Sequence, residues 1–381
     1  MISLHEVGIV GGGFVGAFAA WKLAQKGISV ALFEEHPSFG VPPHCAGLVS
    51  IRGLERLGIY NLLERESIIQ NYIDSAKLIT YQGKVFPIKL DAPIAVVLDR
   101  VALDKKIAEK AVESGVEARL STKVLSIDPS GNLIARKKYS SKEHYSFHII
   151  VDAEGAGRNL IRNLPGVHLH GLLPAMQVDI KIGYQPQKLS SSTVLVHFIV
   201  PDFFAWLIPL DETGKFWRVG LATRKYSKFM QSIIRNLIRK YFKKASIRSR
   251  FGGLVVSGGP IRKFSWGKIL AVGDAAGQVK PTTGGGVIFG GLSAGIVSEV
   301  IYLYLNFDAP LSLYEIVWKK IFRSNMQIML ATRKVYNLMT HLGIDKISRF
   351  LPSNILVNLR GDFDFQLEGI LRMISSIFLF K

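Results

Sequence analysis

A single cysteine, Cys45, stands among 381 residues, so no internal disulfide can form, and one thiol agrees with a reducing compartment. No stretch approaches the roughly 20 uninterrupted apolar residues that a membrane-spanning helix needs, although the chain is 48% hydrophobic, and no transmembrane segment is expected. Acidic residues are scarce: 29 Asp and Glu face 48 Lys and Arg, which leaves a net charge of +19. Such a surface attracts nucleic acid, anionic lipid or phosphorylated ligands. The usual nucleic-acid motifs are missing, which argues against the first of these. Internal repeats and low-complexity tracts are missing too, and no metal site is expected. The first apolar residues already belong to a strand and a helix rather than to a signal peptide, so a cytoplasmic location is expected.

What is present begins with Val7-Gly8-Ile9-Val10, which runs into Gly11-Gly12-Gly13-Phe14-Val15-Gly16, and a second apolar run, Val30-Ala31-Leu32-Phe33, ends at Glu34. The order reads as strand, tight turn, helix, strand. Gly11 permits the turn, Gly13 lets a pyrophosphate approach the backbone, and Gly16 lets the helix pack on the strand, so the phosphates meet the helix N-terminus. Glu34, about 20 residues on, can accept the ribose hydroxyls of an adenosine. A second site lies at Ala271-Val272-Gly273-Asp274-Ala275-Ala276-Gly277, followed by Pro281-Thr282-Thr283-Gly284-Gly285-Gly286. A strand ending in Gly-Asp offers a carboxylate to a ribityl chain, and the glycines expose N–H groups at a helix N-terminus, which would stabilise negative charge on a reduced flavin. Together the two sites favour FAD over NAD.

At this length the chain is expected to fold as two or three interleaved units. Pro37 to Ser50 reads as a loop and Ile51 to about Glu66 as a helix. Strands are expected within Ala76 to Val97 about the turn Gln82-Gly83-Lys84, then a helix from Asp99-Arg100 to about Ser114. Lys123 to Ile127, the turn Ser130-Gly131-Asn132 and His148 to Val151, ending in Asp152-Ala153-Glu154-Gly155, continue the nucleotide domain. From Ala175 to Ala222 three or four strands with period-two patterning suggest an inserted antiparallel sheet, one wall of a substrate pocket. The fold class is therefore α/β (α+β): a Rossmann-like FAD-binding domain (1–72, 98–165 and 251–300), an inserted antiparallel-sheet substrate domain with its cap (73–97 and 166–250), and a C-terminal helical region (301–381) ending in the apolar segment Ile370 to Phe380.

From Arg224 to Arg250 there are ten Lys or Arg and no acid, with Phe229, Ile233, Leu237 and Tyr241 at near-helical spacing. Either an amphipathic helix lies here on an anionic membrane, or a solvated helix packs by its apolar face.

Two further motifs narrow the reading. Pro42-Pro43-His44-Cys45-Ala46-Gly47 resembles the P-x-x-C-x-G loop of the geranylgeranyl reductase family, and Phe204-Ala205-Trp206-Leu207-Ile208-Pro209 is similar to its Y-x-W-x-F-P segment, with Phe204 for the tyrosine and Ile208 for the phenylalanine. That family, which includes digeranylgeranylglycerophospholipid reductases, lies within the flavoprotein superfamily of the aromatic hydroxylases. Glu154-Gly155 replaces the Asp-Gly that the hydroxylases carry. The resemblance covers roughly residues 5 to 320 and implies an FAD-dependent reductase that saturates isolated double bonds of geranylgeranyl chains on archaeal-type membrane lipids or their phosphorylated precursors. It implies cofactor contacts from Gly11, Gly13, Phe14, Val15, Gly16, Glu34, Glu35, Cys45, Ala46, Gly47, Arg100, Val124, Gly155, Asp274, Pro281, Gly284, Gly285, Gly286 and Val287. Arg100 matches a position that contacts the cofactor phosphates, with pairing to Asp104 as the alternative, and Val124 would meet the adenine through its backbone.

A hydride must reach one alkene carbon and a proton the other in a dry channel, whose wall Phe198, Phe203, Phe204, Trp206, Ile208 and Pro209 would supply. Cys45 is the first candidate to relay the proton, or else it shapes the cavity; His44 is the second. No second nucleotide-binding unit appears, so electrons are expected from an external donor such as ferredoxin, whose acidic surface suits a basic chain, and peripheral membrane contact is expected. The competing expectations are a flavin-dependent aromatic hydroxylase or halogenase-like oxygenase, and a non-catalytic lipid-binding or electron-carrying flavoprotein.

Overall fold

Four-residue apolar runs make the central strands. Val7–Val10, Val30–Phe33 and Ile149–Asp152 are buried at every position, as parallel strands covered on both faces must be. The protein is described here by a computed structural model that covers residues 5–183, 189–342 and Asp364; the apolar segment 370–380 lies outside the described residues. The chain divides into two units, Met1–Pro42 with Arg100–Leu172 and Val256–Met326, and Pro43–Asp99 with Leu173–Val255 and Gln327–Lys381.

In the first unit a six-stranded sheet has the order Ser265–Trp266, Ile269–Ala271, Ile149–Asp152, Val7–Val10, Val30–Phe33, Glu117–Arg119. Val7 lies opposite Ile149 on one side and Val30 on the other, both in parallel register. One face is covered by the antiparallel sheet Thr122–Ile127, Asn132–Lys137 and Lys142–Ser146, with Val124, Leu133, Ala135 and Tyr145 packed on Phe33 and Ile150. The helix Phe14–Ala24 packs against Val287–Phe307, where Ser298 Oγ donates to the Ala19 carbonyl at 3.3 Å. Val287–Phe307 is long and apolar enough to cross a membrane, contrary to the reading of the sequence, yet most of it is buried, which makes it a core helix by its packing.

In the second unit a seven-stranded sheet has the order Ala245–Val256, Leu172–Ile182, Phe216–Ala222, Ala205–Pro209, Thr193–His197, Ser75–Ile79, Val85–Lys89. The expected turn at Gln82-Gly83-Lys84 joins two of these strands, and where three or four strands were expected from Ala175 to Ala222 there are four, the first starting at Leu172. One pairing departs from antiparallel: Ser75–Ile79 runs parallel to Thr193–His197. A smaller sheet joins Leu48–Ser50, Ala95–Leu98 and Ile69–Ile73. The single helix expected over residues 51–66 is two, Ile51–Arg56 and Tyr60–Arg65, because Gly58 takes a left-handed φ of +71° between them. The basic segment forms the helix Ser227–Tyr241, and its apolar stripe is already used: Met230, Ile234 and Leu237 are buried against Trp217, Val219 and Leu221 of the sheet. Lys228, Arg235, Arg239 and Lys240 stay exposed.

Candidate active site

The glycine turn of the first unit is held by its own backbone. Gly11, with φ +98°, donates to the Phe33 carbonyl at 2.9 Å, and Gly12 donates to Glu34 Oε2 at 2.8 Å. Glu34 Oε1 accepts from the His36 N–H at 2.8 Å, so this carboxylate fixes the turn and its neighbour together. The helix Phe14–Ala24 then starts from Gly13 with no side-chain cap and no acid in its first turn, and a Cβ at Gly13 would meet nothing within 4 Å. The space beside Gly13 is thus open, and the uncapped first turn carries a partial positive charge.

The second glycine run repeats this arrangement. The helix Val287–Phe307 starts from Gly286, again without a side-chain cap or an early acid. Asp274 Oδ1 lies where a Cβ on Gly286 would come to 2.6 Å. Burial pushes the Asp274 carboxyl up from its ordinary range, and the charges of Arg100 and Arg158 oppose that rise. Arg100 reaches both oxygens of Asp104, at 2.8 and 3.1 Å, so the alternative pairing is formed. Two bare, glycine-flanked helix N-termini fit the anionic parts of FAD, the diphosphate at Gly13 and the electron-rich ring edge at Gly284 to Gly286, and the Asp274 carboxyl fits its neutral ribityl hydroxyls.

The remaining residues of this unit are placed as follows. Val15 packs against Gly273 and Gly290, which ties the two glycine regions together, and Phe14 and Val287 are buried beside them. Pro281 is buried and Gly155 faces open space with φ +88°. Glu35 is at the surface, paired with Lys123 at 2.8 Å, and Val124 is buried in the core under Phe33.

Two features here had no signal in the sequence. Arg158 is fully buried and donates to the carbonyls of His168 and, at 3.1 Å, Asp274, which braces the Gly-Asp turn from behind. Asp152 is also fully buried; burial first, then the neighbouring Glu154 charge, pushes its carboxyl well above the usual range, and while Oδ1 accepts the Glu154 backbone N–H at 3.2 Å, the buried Oδ2 has no hydrogen-bond partner. Glu154 accepts the N–H groups of Asn159 and Leu160 at 2.8 Å each, which favours charge on Glu154 and leaves the proton on Asp152.

In the second unit strand register assembles the chemistry. Trp206, Gly220 and Gln177 stand opposite one another on three adjacent strands, and Ile208, Arg218 and Asp179 form the next row. Alternate residues Leu207, Val219 and Val178 point to the helix-covered face, so these rows line the other one. Gly220 has no side chain there, and the space goes to Gln177 and the Trp206 ring, each 2.7 Å from where its Cβ would be. Gln177 links two motifs: its Oε1 accepts the Trp206 indole N–H at 3.1 Å, and its Nε2 donates to the His44 carbonyl at 3.2 Å. Arg218 Nη1 donates to the carbonyls of Cys45 at 3.2 Å and Ala46 at 3.0 Å, while Gly47 accepts at its carbonyl from Leu98 at 2.9 Å.

Cys45 is half-buried, and the Gly47 N–H points at its sulfur from 3.5 Å. His44 is exposed, with Nδ1 2.9 Å from the Gly252 carbonyl. Since a carbonyl only accepts, Nδ1 carries the proton, and in the neutral ring Nε2 is an acceptor. Around Trp206 the rings form a continuous cluster: Phe203 stacks on Phe204 at 4.2 Å, and Phe204 meets Phe198 at 6.3 Å and Trp206 at 6.0 Å. Trp206, Ile208 and Phe203 share a cluster with Ala46 and Leu48, and the Pro209 carbonyl accepts from Asn71 at 3.0 Å. The buried Arg333 lies 4.6 Å above the Phe203 ring, a neighbour that the sequence did not suggest. Among the described residues no group of three or more His, Cys, Asp or Glu could hold a metal ion.

Comparison with known proteins adds to this geometry. A family profile described as an FAD binding domain matches residues 5–290. An uncharacterised protein of Methanocaldococcus jannaschii is 30% identical over 386 residues, 98% of this chain and 95% of that one. The digeranylgeranylglycerophospholipid reductase of the same organism is 26% identical, with 92% of each chain covered. Among solved structures, a geranylgeranyl bacteriochlorophyll reductase-like protein from Thermoplasma acidophilum superposes with a TM-score of 0.84 at 20% identity, covering 98% of this chain and 96% of that one. The p-nitrophenol 4-monooxygenase of Pseudomonas putida shares the fold at a TM-score of 0.76 and 17% identity, covering 98% and 99%.

Proposed function

The chain belongs to the FAD-binding-domain family and is an FAD-dependent oxidoreductase, and from that premise we propose that it saturates isolated double bonds of geranylgeranyl chains on archaeal-type membrane lipids or their prenyl diphosphate precursors. The observation that carries this reading is the meeting of the Cys45 loop and the Trp206 strand through Gln177 on an apolar sheet face. On this reading the thiol of Cys45 and the apolar side chains share one platform.

The Gly13 and Gly286 helix ends and Asp274 would hold FAD, which when bound and reduced would supply the hydride. The chain's own residues do the rest. Phe198, Phe203, Phe204, Trp206 and Ile208 hold the prenyl chain and exclude water from it. Cys45 gives its thiol proton to the second alkene carbon and regains one from solvent. His44 is the second candidate donor, its Nδ1 engaged with the Gly252 carbonyl.

Electrons come from an external, acidic protein donor such as a ferredoxin, in keeping with the charge of +19. The protein works in the cytoplasm at the membrane surface, to which the exposed cations of 224–250 bind electrostatically; the apolar stripe of Ser227–Tyr241 is buried, so no insertion of that helix is involved.

The test is an anaerobic incubation of dithionite-reduced protein with geranylgeranyl diphosphate and with a geranylgeranylated glycerophospholipid, followed by mass spectrometry. A gain of one H2 per saturated bond with reoxidation of the flavin supports the reading and ranks the substrates. A flavin that stays reduced with both lipids overturns it, and oxygen consumption coupled to hydroxylation of an aromatic compound would put the oxygenase in its place.

A further inference from the structure

Three consecutive carbonyls in the loop of residues 42–47, those of His44, Cys45 and Ala46, are each taken by a side chain of the sheet. Loops of this kind are normally tied by backbone pairs, turn side chains or water. Here one guanidinium does most of it. Arg218 spends its Nη1 protons on Cys45 and Ala46 and turns its other edge to Asp179, with Nε to Oδ1 at 2.7 Å and Nη2 to Oδ2 at 2.9 Å. Phe251 lies 4.8 Å from the guanidinium centre and closes that side. Four of the five donors are thereby used in fixed directions, and the pairing Asp179↔Arg218 is set by strand register rather than by the loop.

We infer that Arg218, oriented by Asp179, is a positioning residue that holds the Cys45 backbone from behind and so fixes where the thiol stands. This rests on the reading of Cys45 as proton donor. An ordinary structural ion pair would leave the carbonyls of Cys45 and Ala46 to water or to other N–H groups; the fork reaches both while remaining anchored to a rigid strand. Lysine cannot reproduce this, since an ammonium has no planar fork to span a carboxylate and two carbonyls together.

Cys45 is the sole cysteine, so its alkylation by iodoacetamide, followed by mass spectrometry of the intact FAD-bound protein, reports on one thiol. Arg218→Lys and the near-isosteric Asp179→Asn should each change the alkylation rate about threefold or more, because the loop opens more often. Turnover on the best prenyl substrate should fall by about tenfold to a hundredfold in kcat with KM within about twofold, the pattern of a misplaced reacting group. In a Cys45→Ala background the same substitutions should cost nothing further. Alkylation and kcat both at wild-type values in two variants that retain FAD would overturn the inference, and so would losses that multiply with Cys45→Ala. A wild-type protein inert toward every prenyl lipid defeats the functional reading instead, and the alkylation rates then decide the clamp alone.

Discussion

Trp206 donates its indole N–H to Gln177 Oε1 across 3.1 Å, and both side chains are buried. The bond joins the strand that walls the hydrocarbon cluster to the residue that holds the His44 carbonyl. Trp206→Phe keeps an aromatic wall but leaves Gln177 Oε1 without its donor, at a cost of about 1–3 kcal/mol for an unpaired buried acceptor. Urea denaturation of the FAD-bound protein should show that loss. The double variant Trp206→Phe with Gln177→Met, which removes the orphaned acceptor, should recover part of it; a double variant weaker than the sum of its parts would count against the bond.

Gly13 and Gly16 look alike in the fingerprint and should fail differently. A Cβ at Gly16 would stand 1.9 Å from the Gly11 carbonyl oxygen, whereas one at Gly13 meets nothing within 4 Å, and Gly13 already has φ −67°. Gly16→Ala should therefore lower Tm of the apoprotein by several degrees. Gly13→Ala should leave apoprotein Tm unchanged and weaken FAD binding about tenfold or more, since the methyl fills the space that the phosphates need. Calorimetry and a fluorescence titration with FAD separate the two; equal affinity in Gly13→Ala would place the diphosphate elsewhere.

These distinctions show what local sequence can carry. The strand, turn and helix from Val7 to Glu34 were legible because every cue lies within about 30 residues and each glycine has a separate steric reason. The helix Ser227–Tyr241 was legible from its spacing, but not what covers its stripe, since Trp217 and Val219 come from an earlier strand. Gln177, Asp179 and Arg218 were invisible. Period-two patterning puts Gln177 and Asp179 on one face, yet only the register Asp179↔Arg218 and Trp206↔Gly220 tells which residues they meet, and register is a long-range property. Arg158 gave no sign either: nothing nearby marks it, and its partners are carbonyls of residues 168 and 274.

Asp152 offers a test of the buried proton. Its carboxyl is pushed well above the usual range by burial and by Glu154, so the folded state keeps a proton that the unfolded chain releases. Stability from this group is full below the ordinary carboxylate pKa and is lost as pH rises through the folded value. Asp152→Asn keeps the shape of the side chain and an oxygen for the Glu154 N–H, without a titratable proton. Its Tm relative to wild type should therefore climb steadily between pH 5 and pH 9. A difference that stays flat across that range would mean that Asp152 is ionised in the fold.

His197 works in the opposite direction. It is almost fully buried, hydrogen-bonded to the Tyr241 hydroxyl at 2.9 Å, and burial, helped by the Lys240 charge, lowers its pKa from 6.5 to about 4. The folded protein holds the ring neutral while the unfolded chain protonates it, so the unfolded state binds more protons between these two values. Stability is then complete above about pH 6.5 and falls as the pH drops toward 4, by up to about 3 kcal/mol at about 1.4 kcal/mol per pKa unit. Burial also lowers the His168 pKa, which adds to the slope with the same sign. Urea denaturation from pH 7.5 to pH 4.5 should show this decline in wild type, and His197→Asn, less stable at neutral pH, should show a shallower one. The same slope in both proteins would assign the acid sensitivity to other groups, while a shallower slope would locate it under the helix that carries Tyr241.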